Sequence, residues 1–543
     1  MKTLCFQTFS CDRRSRASGY FLNKSNLLLI ATIFGGLLFN FLFWKERLAF
    51  NLLIYSIFIL TITYLNTDIM KSTKFKIFGL AHLMSAILVV INNTDLSIAT
   101  YYISLLVFIG ISHNQQIRTL FAAGLAAILQ MITTPYNAIT NLSKISIGNF
   151  NLKPVFRLIK YIVIPFIAVI FFTCLYAAAN ELFAHYLQTI LTSIFNFFKG
   201  ILRFFFEDLD IERFFYFCFG LLLTSGLLLP LLNKRLENEE LKASEQLKRI
   251  RRGSSQKTLW YLVMETFAGN LLSRKMALKT EYIIGAIMFV ALNILLLLLN
   301  TIDITTLWFG YKPAGNFSGA LHEGTNSLIF SIIMAMAVIA YFFRGNLNFY
   351  SKSKILKTLA FTWIVQNIIL IISVLIRDGY YIEFYGLTHK RIGVLVFALL
   401  CMVGLTTVYL KVAKQKTLFY LLKINGNIWF MLLLAFSTIN WDVAIAKYNL
   451  AQSEKISLDV DYLLSLSDKT LPLLDQNRAK LHYTPAKVLD EREIAKPQNA
   501  DYYRNQLDER IGYFKERYEE ESWLSWNMQD WNSAQYFGIK RSN

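Results

Sequence analysis

Charged residues are scarce in this chain. Asp, Glu, Lys and Arg fill 17% of its 543 positions, against about 25% in an ordinary soluble protein. That shortage excludes a surface hydrated on all sides. Eight prolines leave long stretches with no helix breaker. Five cysteines give no disulfide framework. Cys174, Cys218 and Cys401 lie in apolar runs, where Cys behaves as a small hydrophobe, and Cys5 and Cys11 lie in a basic N-terminal tail. No Gly-rich phosphate cradle and no nucleophile elbow occurs, so no nucleotide or acyl-transfer chemistry is indicated.

What is abundant is apolar and aromatic. Hydrophobic residues make up 55% of the chain and aromatics 15%, with a mean hydropathy of +0.42. Apolar runs of 15 to 21 residues recur from Leu27 to Ile439, near the roughly 20 residues a bilayer-spanning helix needs. Lipid offers backbone groups no hydrogen-bond partner, so each run must be helical. The fold class expected is all-α, a polytopic transmembrane helix bundle with a soluble helical domain at its C-terminus.

Eleven spans are read: 27–44, 48–65, 77–91, 96–112, 161–180, 214–232, 282–300, 325–343, 359–376, 392–410 and 424–439. The basic start with Arg13, Arg14, Arg16 and Lys24 resembles a signal peptide. No small-residue cleavage site follows, so the first run is read as an uncleaved span. Two further segments, 119–133 and 186–206, would raise the count to thirteen, but both are expected to lie in the interface. The second has Leu187, Ile190, Leu191, Ile194, Phe198 and Ile201 at helical spacing.

Charge sets the orientation. With the N-terminus inside, the inner segments sum to +24 and the outer ones to −5, together the formal +19 of the chain. Short-loop Lys and Arg favour the cytoplasmic side. The expected placement is therefore a bacterial cytoplasmic membrane, N-terminus cytoplasmic and C-terminus extracytoplasmic. The organisation follows: a tail 1–26, a first transmembrane group 27–232, a charged cytoplasmic loop 233–281, a second transmembrane group 282–439 and an extracytoplasmic helical domain 440–543. The positive balance is divided among six loops rather than gathered on one face, which argues against nucleic acid. Anionic lipid of the inner leaflet is its expected partner, at basic clusters such as Lys248-Arg249-Ile250-Arg251-Arg252.

After Ile439 the pattern becomes that of soluble helices. Tyr503, Leu507, Ile511, Phe514 and Tyr518 form one apolar stripe, with Asp508, Glu509, Glu516, Glu519 and Glu520 on other faces. Another helix is expected to start near Asp468, Pro485 and Pro497 should break the chain between helices, and a Trp-rich end carries Trp523, Trp526 and Trp531. Those indoles are expected to pack on the stripe, with membrane anchoring or partner binding as alternatives.

Several segments, taken together, resemble a family of polytopic bacterial membrane proteins known only as a domain of unknown function. They are Phe43-Trp44-Lys45-Glu46-Arg47 with Asn51-Leu52-Leu53, and Leu321-His322-Glu323-Gly324-Thr325-Asn326. Arg377-Asp378-Gly379-Tyr380-Tyr381 with Tyr385 to Arg391 follows, then Asn440-Trp441-Asp442 with Leu458 to Leu463, and the closing Trp523 and Trp526-Asn527. The resemblance implies an integral membrane protein and brings no activity, cofactor or substrate with it.

Polar groups suited to chemistry cluster on the expected outer side: His322, Glu323, Arg377, Asp378, Tyr381, His389, Arg391 and Asp442, with Asp303, Tyr380 and Glu383 nearby. They are expected either to converge on one pocket beneath the C-terminal domain or simply to hold loops together, Arg377 pairing with Asp378, Glu383 or Asp442. Two His with carboxylates suit zinc in principle, but no H-E-x-x-H or H-x-x-E-H spacing is present, so no metal or cofactor is assigned. Inside the spans, Asn40, Asn51, Asn293, Gln366 and Asn367 are the main polar groups and His82 the best mid-span ionisable candidate, with Glu181 at a span end. Three function classes follow. The favoured one is an envelope scaffold or sensor that binds an extracytoplasmic protein partner. The others are a transporter of a neutral or lipidic solute and an enzyme acting on an envelope lipid or glycan.

Overall fold

The computed structural model describes residues 24–142, short pieces between 165 and 193, then 211–229, 234–249, 278–309, 317–481 and 500–541, with gaps at 67, 68, 70 and 457. The described residues build an all-α membrane bundle. Among the described residues, seven helices are long and apolar enough to cross a bilayer: 73–92, 95–113, 211–228, 278–308, 353–385, 389–413 and 418–436. Shorter apolar helices cover 30–43, 50–65, 120–134 and 327–342.

The first helix group comprises α1 (Lys24–Phe43), α2 (Phe50–Leu65), α3 (Thr73–Asn92), α4 (Asp95–His113), α5 (Leu120–Leu142) and α6 (Ile211–Leu228). Side-chain caps start its members where the apolar runs begin: Ser72 accepts from the Phe75 amide, and Thr94 and Ser97 form a reciprocal capping box. α1 and α6 run antiparallel in close backbone contact, and a Cβ on Gly36 would sit 3.1 Å from Leu221 Cα. Small residues at such crossings let membrane helices approach. The core is cross-linked by buried hydroxyls. Tyr55 meets Thr224 at 2.8 Å, Ser56 donates to Tyr101 at 3.0 Å, and His82 meets Ser104 at 2.9 Å.

The segment 119–133, expected in the interface, falls within α5 from Leu120 on. α5 packs inside the bundle against α4 and α6, with Ala123 and Ala127 fully buried. Its alanine face admits a neighbour so closely that a Cβ on Gly110 of α4 would overlap the Ala123 carbonyl. Gln130 completes the contact, reaching His113 at 3.0 Å and donating to the Gly226 carbonyl at 2.6 Å. Of the other interfacial candidate, 186–193 is helical with Tyr186, Ile190 and Leu191 exposed, and 194–206 lies outside the described residues. Most of the expected span 161–180, both N-terminal cysteines, Pro485 and Pro497 also lie outside them.

Beyond the short α7 (Lys234–Lys242), the second group contains α8 (Leu278–Asp303), α9 (Phe317–Phe342), α10 (Ser353–Tyr385) and α11 (His389–Ala413). Its core is apolar and aromatic, centred on Phe289, Phe343, Trp363 and Leu405. Amides bridge it through carbonyls: Asn293 donates to Leu359 and Asn300 to Gln366. α12 (Leu418–Phe436) lies between the groups, packing on α11 and placing Phe430 against α4 and α5.

Loops gather at two ends. At one, Arg118 and Lys423 meet Glu245 at 2.6 and 2.7 Å, Glu240 accepts from the Arg118 amide, and the Leu247 amide donates to Gln415. The segment 234–247 thus latches the α4–α5 loop to the α11–α12 loop. The opposite end carries α13 (Trp441–Ala451), α14 (Val460–Ser465), α15 (Leu471–Gln476), α16 (Ala500–Glu520) and α17 (Met528–Phe537). A helical turn does begin at Asp468, as 3₁₀. Tyr503, Leu507, Phe514 and Tyr518 are buried, and they share a core with Leu463, Leu471 and Ile392 of α11. Leu524 joins the first group's core instead, while Trp523 and Trp526 edge onto Phe50 and Trp531 stays 42% exposed.

Candidate functional site

Among the described residues, the polar groups expected to converge pair off in three sets at the end that carries α13 to α17. Arg377 pairs with Asp303, at the C-terminal end of α8, and not with Asp378, Glu383 or Asp442. Asp303 is 2% exposed, so the pair fastens α8 to α10 from within, and Tyr380 adds a bond to the Leu307 carbonyl at 3.3 Å. A second cluster surrounds Arg391. Its guanidinium lies 4.6 Å over the Tyr381 ring and donates to the Tyr385 and Gly386 carbonyls, closing the end of α10. Asp378 is buried nearby and Glu383 is exposed. His322 and Glu323 are on α9, with side chains outside the described residues.

The third cluster joins helices from distant parts of the chain. His389, first residue of α11, contacts Asp442 of α13 at 2.8 Å through Nε2 and the Tyr462 hydroxyl at 2.9 Å through Nδ1. Both ring nitrogens are engaged, so the imidazole positions α11 against α13 and α14 and has no nitrogen turned to a substrate. Burial pushes the Asp442 carboxyl up, but hydrogen bonds from His389 and the Ser467 amide outweigh it and hold the group below its ordinary range.

Next to this pair opens a cleft of about 630 Å³ between α4, α11 and α12. Its floor is apolar, formed by Leu96, Val396, Phe397, Leu400, Leu432 and Leu433, and Trp429 and Phe436 line one wall. The mouth is polar: Asp95, His389, Asp442, Ser467 and Lys469. Lys469 donates to the Asn93 carbonyl, the C-cap of α3. Among the described residues, no carboxylate lies within ion-pair distance of Lys469 or cation within that distance of Asp95. Three helices, α4, α11 and α13, begin at this mouth, capped by Thr94, Thr388 and Asn440. Neither Asp95 nor Lys469 stands out in the sequence, because each lies in a short segment with no motif.

None of the membrane amides lines the cleft. Asn293 and Asn367 donate to carbonyls of neighbouring turns, and Asn51 bonds the Leu42 and Arg47 carbonyls. His82 is buried between Ser104 and Phe108. Among the described residues, no three His, Cys, Asp or Glu side chains gather as metal ligands.

The family model described as Domain of unknown function (DUF4153) matches residues 78–477, and the chain belongs to that family. The match contains the segments 321–326, 377–391 and 440–463 and leaves out 43–53 and 523–527. No curated protein and no solved structure matches the chain.

Proposed function

We propose that this membrane protein is a scaffold or sensor of a bacterial envelope, inserted in the cytoplasmic membrane with the N-terminus inside. Its C-terminal helices then stand on the outer face and bind a protein partner. The orientation rests on the charge asymmetry of the loops. The observation that carries the reading is the free face of α16. With Tyr503, Leu507, Phe514 and Tyr518 turned inward, Glu509, Glu516 and Glu520 recur along the opposite side, beside a Tyr513 that is 71% exposed. An acidic face with an exposed aromatic suits a partner with a basic surface. The C-terminal helices that α16 packs with reach both transmembrane groups, Leu524 in the core of the first and Ile392 of α11 in their own, which suits a device that transmits binding into the bilayer.

In-cell crosslinking and co-purification test this with three proteins: the full chain, a chain ending at Asn440, and Glu509→Lys/Glu516→Lys/Glu520→Lys. The full chain should recover one reproducible partner with a basic surface, and both variants should lose it. Recovery of the same proteins from all three, or of none from the full chain at equal amounts, overturns the reading.

A second reading, a carrier of a lipidic solute, is favoured by the cleft alone. It expects lipid transfer between vesicle leaflets, which a scaffold does not perform.

A further inference from the structure

We infer that the cleft between α4, α11 and α12 binds one zwitterionic phospholipid, with an acyl chain on the apolar floor and the phosphate and ammonium groups at the mouth. This site is independent of the partner-binding face on α16.

Shape gives the first part of the argument. The volume of about 630 Å³ lies within the ~300–1,000 Å³ of small-ligand sites. It is apolar along the helix bodies and polar where three helices begin, the arrangement that an amphiphile needs. Gly393 of α11 lines the cleft, and a Cβ there would meet nothing within 4 Å. The space is therefore real on the α11 side and not filled by a neighbour.

Charge gives the second part and selects the headgroup. On the positive side stand Lys469 and the starts of α4, α11 and α13, whose aligned peptide dipoles favour an anion. Burial lowers the basicity of Lys469, and nearby Asp530, Asp442 and Asp95 only partly restore it. A half-desolvated ammonium in that position gains from an anionic ligand. On the negative side stands Asp95, exposed at the first turn of α4 without an ion pair among the described residues. Asp442 is already committed to His389. A purely anionic headgroup would face two carboxylates, and a purely cationic one would face Lys469 and three helix starts. A headgroup carrying phosphate and a primary ammonium satisfies both, phosphate to Lys469 and ammonium to Asp95. The indole of Trp441 stands at the mouth, and such rings favour a bilayer interface.

Native mass spectrometry of the full chain in detergent provides the test, with three probes: dioleoyl phosphatidylethanolamine, dioleoyl phosphatidylglycerol and phosphoethanolamine without chains. The expected result is one phosphatidylethanolamine bound saturably, phosphatidylglycerol bound at least about tenfold more weakly, and no binding of phosphoethanolamine. Gly393→Trp fills the cleft and should weaken the lipid by about tenfold or more. Gly512→Trp, on the far face of α16 with equally free space, should leave it unchanged. Lys469→Gln should weaken binding without adding bulk, and it serves alone if Gly393→Trp does not fold. Asp95→Asn should erase the preference for the ethanolamine lipid. Binding that survives both Gly393→Trp and Lys469→Gln overturns the site. Equal or tighter phosphatidylglycerol binding to the unaltered chain overturns the headgroup class, and saturable phosphoethanolamine binding overturns the amphiphile.

Discussion

The two ends of the bundle solve one problem by different means. Each must hold the first helix group to the second across loops far apart in sequence. At the latched end a single short segment suffices. Glu245 collects Arg118 and Lys423, and their hydrogen bonds keep its carboxyl below the ordinary range although it is 30% exposed. At the capped end about a hundred residues do the work. Asp468 receives Arg510 and Arg517, Glu521 receives Arg47, and Ser525 exchanges hydrogen bonds with the Glu46–Arg47 loop. Beneath these pairs lies an apolar core that includes Ile392 of α11. The two sets of ion pairs are about equally exposed, 30% at Glu245 and 26% at Asp468; they differ in what lies beneath, a small apolar cluster around Ile117 and Leu120 at the latch and an extended core at the cap. Partly exposed pairs contribute about 0–1 kcal/mol, and breaking those that order a packed core costs more.

Substitutions at the two ends should separate accordingly in thermal unfolding of the detergent-solubilised protein. The largest effect is expected at Gly386, which ends α10 in a left-handed conformation with φ +79°. There a Cβ would come within 2.5 Å of Asn449 Oδ1, an atom that accepts from the Leu387 amide. Gly386→Ala should destabilise by about 3 kcal/mol, from backbone strain together with overlap. A cap that merely rests on the bundle would tolerate it. Asp468→Asn should follow at about 2 kcal/mol, since Arg510 loses its carboxylate partner and Arg517 is left with Glu521 and Asp530. Glu245→Gln at the latch should cost about 1 kcal/mol or less. Equal losses from Asp468→Asn and Glu245→Gln would erase the distinction between the ends.

Acid should sharpen the contrast by a smaller amount. Burial would raise the Asp468 carboxyl, but Arg510 and Arg517 hold it below its ordinary value of 3.8. A carboxyl depressed in the folded state adds stability above the unfolded value and loses it as pH falls through the folded one. The melting temperature should therefore drop more steeply below about pH 4 in the unaltered protein than in Asp468→Asn. Parallel curves would remove Asp468 from the account.

The all-α membrane class was legible because apolar length and uniform composition report burial in lipid directly. The packing of α5 was not legible, for an identifiable reason. Its contacts are made by Ala122, Ala123, Ala126 and Ala127 together with Gln130, so its buried face is one of small and polar residues. Hydrophobic periodicity registers bulk and passes over such a face. The stripe from Tyr503 to Tyr518 was legible because large residues do mark the buried side of a soluble helix. Its ionic surroundings were not: Arg510 and Arg517 lie 42 and 49 positions from Asp468, and no local spacing connects them. The polar residues at the span ends were visible as a group, but their sorting was hidden. Asp303 and Arg377 are separated by 74 positions and His389 and Tyr462 by 73, and pairing across such distances is set by helix packing. The cleft itself is a space between α4, α11 and α12, and space leaves no residue pattern.

Hydrogen exchange of the full chain and of a chain ending at Asn440, both in the same detergent, tests the stapling of the two groups most directly. The backbone amides of Arg47 and Leu387 donate to Ser525 Oγ at 2.9 Å and to Asn449 Oδ1 at 2.6 Å, so both should lose protection on truncation. The Leu247 and Thr417 amides, which close the latch at 2.9 and 3.1 Å, should keep theirs. Unchanged protection at Arg47 and Leu387, or equal loss at both ends, would contradict a cap that fastens one end of the bundle independently of the other.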